Sequence, residues 1–126
     1  MAGSSLTRTV SSTGNIYKGT LSMWFKRNAP DQEEYLFENY ETSGNRFFVR
    51  LLSTGQLGME TLQGSSTVMQ INTLNQFFDV GSWYHIVIGI DSTLATAADR
   101  VKVYINGVQQ TSYNDETQPP QNQNMS

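Results

Sequence analysis

The chain has 126 residues, a formal charge of −3 and no cysteine. That length suits one domain with its own core, and the lack of cysteine excludes disulfides, thiolate metal sites and a cysteine nucleophile. The acidic balance offers no case for nucleic acid, and no apolar run approaches the roughly 18 residues of a membrane span, so neither nucleic-acid binding nor membrane insertion is expected.

The opening MAGSSLTRTV has no apolar stretch of the secretory-leader kind. Within it, SLTRTV is a weak strand candidate. The first strong element is TLSMWFKR, where Leu21, Met23 and Phe25 alternate with Thr20, Ser22, Trp24 and Lys26. Period two of this kind predicts a strand with one apolar face. The acidic run DQEEYLFENYE follows, with Asp31, Glu33, Glu34, Glu38 and Glu41 and no basic residue inside. It reads as a solvated loop leading into a strand, EYLFENY. Paired carboxylates could serve glycoside hydrolysis, but the run lacks a tight Glu-x-Asp-x-x-Glu arrangement, and no catalytic residue is assigned.

RFFVRLL places Phe47, Val49 and Leu51 on one side and Phe48, Arg50 and Leu52 on the other. STG and the weaker strand GQLGMETL come next, so residues 46–62 read as a hairpin turning at Gly55. TVMQINT is another weak strand candidate. In WYHIVIGID, Tyr84, Ile86, Ile88 and Ile90 share one face, and Trp83, His85, Val87 and Gly89 share the other. DSTLATAADR predicts a loop with one helical turn capped by Ser92 or Thr93, and a surface pair between Asp99 and Arg100. Val101, Val103 and Ile105 form the apolar face of the next strand. Asn106-Gly107 then predicts a tight hairpin turn. After Tyr113 the chain turns polar, with Pro119-Pro120 and a single apolar residue, Met125. Short strands at this spacing predict an all-β antiparallel sandwich or jelly roll.

Three segments, SLTRTVSSTGN, GTLSMWFKR and SWYHIVIGIDSTLATAADRVKVYINGVQ, occur in an order that resembles the laminin G-like, concanavalin A-like jelly-roll domains. The version they resemble is that of structural proteins of marine tailed phages, over residues 5 to 110. The resemblance implies a laminin G-like sandwich over residues 1–113. Such domains continue with further strands. Here residues 114–126 read as a polar arm or linker, so the sandwich is expected to lack its last strands and to have its edge covered by a neighbour.

The function this implies is that of a non-enzymatic virion structural protein, a capsid decoration, fibre or tail component. Its expected location is the virion, and its expected partners are other virion proteins and copies of itself, as a trimer if it is a fibre. The alternative is a glycan-binding adhesion module that contacts host surface polysaccharide. Tyr17, Tyr40, Tyr84, Tyr104 and Tyr113 are the candidate contacts, because tyrosine presents an aromatic ring together with a hydroxyl. Trp24 and Trp83 are also suited to stacking on a sugar, although the resemblance places them in the core. His85 lacks a catalytic partner and reads as a hydrogen-bonded structural residue. Calcium accompanies laminin G-like domains, and Asp91, Asp99, Asp115 and Glu116 sit in predicted loops. None of these loops has a ligand-dense pattern, so no cofactor is expected.

Overall fold

The computed structural model describes residues 14–125. The strand candidate SLTRTV lies outside them. Among the described residues the elements are β1 (Lys18–Lys26), β2 (Glu34–Thr42), β3 (Asn45–Leu51), β4 (Gln56–Gln63), β5 (Ser66–Gln76), β6 (Trp83–Asp91), β7 (Val101–Ile105), β8 (Val108–Gln110) and β9 (Tyr113–Thr117), with one 3-10 turn at Ala97–Asp99.

The strands form two antiparallel sheets. One has four strands in the order β1-β6-β7-β8, and the other has five in the order β2-β3-β4-β5-β9. Alternation along each strand decides what faces the space between them. Val49 and Leu51, Leu57 and Met59, and Met69 and Ile71 fill it from the five-stranded sheet, while Phe25, Ile86, Ile88, Val101 and Val103 fill it from the four-stranded sheet. The predicted hairpins are present. β3 pairs with β4 around Gly55, which has a positive φ, and Asn106 (φ 50°) with Gly107 (φ 80°) joins β7 to β8. Two successive positive φ values are what a two-residue hairpin demands, and Asn-Gly meets that demand at little cost.

The short helical turn is present, but its predicted caps are not. Thr96 occupies the N-cap without a side-chain bond. Ser92 is buried instead, with Oγ donating to the carbonyls of Gln123 and Tyr17. Asp99 pairs with Lys102 at 3.2 Å rather than with Arg100, which donates to the carbonyls of Leu94, Ala95 and Pro119.

The structure also corrects the reading of residues 114–126 as an arm. Residues up to Thr117 belong to β9, which pairs with β5 and supplies the outer strand of the five-stranded sheet. The chain then crosses to the other sheet. Asn122 N–H donates to Ser92 O, Met125 N–H donates to Ile16 O, and Met125 packs against the core. Backbone hydrogen bonds need no apolar side chains, so a polar segment can finish a sandwich if one residue anchors it.

Arg27 directly follows β1, continuing its inward phase two residues beyond Phe25, and is only 1% exposed. Its guanidinium donates to the carbonyls of Ala29, Phe77, Gln32 and Leu52, each at 2.9 Å, and lies 5.5 Å from the Phe78 ring centre. No ion pair to an acidic group forms among the described residues. Four carbonyl dipoles therefore stand in for a counter-ion and tie β1 to the ends of β3 and β5. Replacing Arg27 with Met removes every one of these donors; Leu52 O keeps the Gly55 N–H, but the buried bond to Phe77 O is lost. The expected loss is about 3 kcal/mol of unfolding free energy, read from urea denaturation. A loss below about 1 kcal/mol would show that the carbonyls find other partners.

Candidate functional site

The candidate site is the outer face of the four-stranded sheet, and the core decides its composition. Leu21, Met23 and Phe25 on β1 face inward, as do Ile86, Ile88 and Ile90 on β6. The alternate residues must therefore face out. On β1 these are Thr20, Ser22, Trp24 and Lys26, and on β6 they are Trp83, His85, Val87 and Gly89. Lys102 and Tyr104 continue the face on β7. The register sets Trp24 opposite His85, Lys26 opposite Trp83, Ser22 opposite Val87, and Val87 opposite Tyr104.

Trp24 and Trp83 are 63% and 62% exposed. This reverses their expected place in the core. Their position in the alternation puts them with Ser22, Lys26 and His85, and the interior they were expected to fill is occupied by Phe25, Phe77 and Tyr84. The register makes them diagonal neighbours on one face, across β1 and β6. The Trp24 ring stacks on the His85 imidazole, with centroids 4.8 Å apart and planes 26° from parallel. His85 is held from two more sides. Its Nε2 shares a 2.9 Å hydrogen bond with Ser22 Oγ, and its backbone N–H donates to Asn106 Oδ1. His85 is thus hydrogen-bonded as expected, and it also orients Trp24.

The candidate tyrosines do not come together. Tyr104 alone lies on the face that carries the tryptophans. Tyr84 points inward, its ring centre 5.2 Å from Phe25 and 5.1 Å from Phe77, and belongs to the core. Tyr113 packs against the core and donates its hydroxyl to Gln110 O, and burial raises its pKa. Tyr17 is half-buried in the turn before β1. Tyr40 is exposed on β2, on the outer face of the other sheet, opposite Arg46.

On that other face the ring of Phe48 is covered, while Tyr35 and Tyr40 stay exposed. Phe48 points outward yet is 2% exposed. The Arg46 and Arg50 guanidiniums lie 4.8 and 5.0 Å from its ring centre, and Tyr35 packs beside it. Glu38 pairs with Arg46 at 3.3 Å, and Glu33 pairs with Arg50 at 3.0 Å. Glu34 accepts from the N–H groups of Asn28 and Ala29. Asp31 and Glu33 lie in the expected loop, whereas Glu34, Glu38 and Glu41 lie within β2.

Among the described residues, no three His, Cys, Asp or Glu side chains gather so as to hold a metal ion. Asp91 ends β6 as a turn residue. The Thr93 hydroxyl and then the Lys18 ammonium hold its carboxyl below the usual aspartate range, so it is an anion at neutral pH. Asp115 is lowered by the Asn72 amide and then by Asn114, and Glu116 accepts from Gln118.

The family model for the concanavalin A-like lectin/glucanases superfamily matches residues 3–126. No curated protein and no solved structure matches the chain.

Outward tryptophans have a measurable signature. Trp24→Ala is expected to cost less than about 1 kcal/mol of stability, where an indole buried in the core would cost about 3–5 kcal/mol. Both indoles are also expected to be accessible to acrylamide in the native state. A large loss of stability, or protection of both from the quencher, would return them to the interior.

Proposed function

The chain belongs to the concanavalin A-like lectin/glucanase superfamily, and from that premise we propose that it is a non-catalytic module that binds a glycan on the outer face of its four-stranded sheet. The observation that carries the reading is the pair of tryptophans exposed on one rigid sheet, one of them braced by His85. An exposed indole offers a broad apolar face to the C–H face of a pyranose, and a sheet presents it already oriented, which lowers the ordering cost of binding. Lys26 opposite Trp83, and Ser22 and His85 beside Trp24, are groups able to hydrogen-bond sugar hydroxyls. Glu33 and Glu38 are paired with arginines and Glu34 accepts from backbone N–H groups, which favours binding without hydrolysis.

A second reading is that the module is a virion structural protein, as the sequence resemblance implies, with copies of itself or other virion proteins as partners. One feature favours it. Leu74 and Val108 are both exposed beside β8, an edge strand of three residues. Exposed apolar side chains at a short open edge suit contact with another subunit. The two readings are compatible.

An array of bacterial polysaccharides tests the first. Hits are expected, with Trp24→Ala and Trp83→Ala each weakening binding about tenfold, or 1.4 kcal/mol. A blank array, or hits indifferent to both substitutions, would remove the reading. Release of reducing sugar from a bound polysaccharide would overturn its non-catalytic part. Light scattering tests the second reading. An oligomer is expected, a trimer if the protein is a fibre, and it should dissociate on Leu74→Ser with Val108→Thr. A monomer at all concentrations would dismiss it.

A further inference from the structure

β6 lies inside its sheet, between β1 and β7, yet it carries a glycine, Gly89, on its outward face. A glycine inside a strand costs about 0.5–1 kcal/mol relative to alanine. Such a residue usually marks a bulge, a bend, or a place where another backbone or a ligand comes close. The pairing through Gly89 is unbroken on both sides, Thr20 on β1 and Lys102 on β7, so there is no bulge. Its φ is not among the positive values. A Cβ added there would meet no atom within 4 Å, so no other part of the described chain approaches it. The missing side chain therefore leaves open space above the sheet, beside Gly19 on β1, which is open in the same way.

The space above Gly89 is a hollow of about 290 Å³ lined by Thr20, Asp91, Leu94, Asp99, Lys102 and Tyr104. It lies on the same face as the tryptophans. Gly89 follows His85 by four residues of one strand, about 13 Å, and Tyr104, opposite Val87, stands between them. The hollow carries two carboxylates and one ammonium, with Asp99 and Lys102 already paired. Groups of both signs suit the hydroxyls of a neutral sugar and give no preference for an anionic one.

We propose that the Gly89 hollow is a second subsite of one glycan-binding track, so that a linear neutral oligosaccharide lies along β6, stacked on Trp24 and Trp83 at one end and seated over Gly89 at the other. This rests on the platform reading above and extends it from a single sugar to a chain of several units. Gly89 is where the track needs room, and the missing side chain supplies it.

Calorimetric titration with cello-, chito- and manno-oligosaccharides of two, four and six units tests the track. In a series that binds, affinity is expected to rise at least tenfold from the dimer to the hexamer. Gly89→Leu, whose side chain enters open space, is expected to abolish that gain, and Gly89→Ala to reduce it; the milder variant decides the matter if the larger one does not fold. Trp24→Ala is expected to weaken every length. Two results would overturn the track and leave the platform standing: a dimer bound as tightly as the hexamer, or a hexamer whose affinity ignores both Gly89 variants, while Trp24→Ala still weakens binding. Binding indifferent to Trp24→Ala, or no binding in any series, would overturn both.

Discussion

Burial of Ile86 and Ile88 on β6, with Ile90 packed beside them, sets the direction of every other side chain on that strand. In a pleated strand one face cannot be chosen without the other. Once the isoleucines enter the space between the sheets, Trp83, His85, Val87 and Gly89 have to meet solvent. β1 is in phase with this choice, because Met23 pairs with Ile86 and Leu21 pairs with Ile88. Trp24 is thereby placed against His85. A slip of one residue would bury the tryptophans and expose the isoleucines, at a cost of several apolar side chains left in water, each about 1.5–3 kcal/mol. The aromatic face is thus a by-product of the core, and it inherits the core's rigidity.

The two outer faces are finished differently. On the five-stranded sheet Phe48 is roofed by Arg46, Arg50 and Tyr35, and the arginines are in turn neutralised by Glu33, Glu38 and Glu60. An apolar ring there is hidden by the chain's own side chains. On the four-stranded sheet Trp24 stacks on His85 but has no roof, and Gly89 lies at the bottom of an open hollow. The four-stranded face carries two bare indoles and open space, whereas on the five-stranded face Phe48 is covered and Tyr35 and Tyr40 are bare. That contrast is what favours the four-stranded face in the proposed reading.

The ends of the sandwich are tied by polar contacts rather than by additional apolar surface. Arg27 gathers carbonyls from separate segments at one place, and Ser92 binds both the residue before β1 and the C-terminal stretch. Each works only where burial removes the competition of water. The role of Arg27 was partly legible. It falls on the same alternation as Leu21, Met23 and Phe25, and a charged residue on an apolar phase signals a buried polar anchor. Its acceptors come from residues two to fifty positions away, which no local pattern connects.

Local rules sufficed for the strands before Tyr113, the turns at Gly55 and Asn106-Gly107, and the division of those strands into two faces, because these depend on neighbouring residues and on the period of the backbone. They also contained the outward direction of Trp24 and Trp83, which the placement implied by the family resemblance overrode. What the one-dimensional pattern did not contain was the pairing of distant segments. It could not put Trp24 against His85, open a hollow above Gly89, separate Tyr104 from the other tyrosines, or carry the polar residues after Tyr113 back onto both sheets. Those outcomes depend on which strands become neighbours and in what register, and that choice is made by the energy of the whole packed interior, not by any stretch of chain alone.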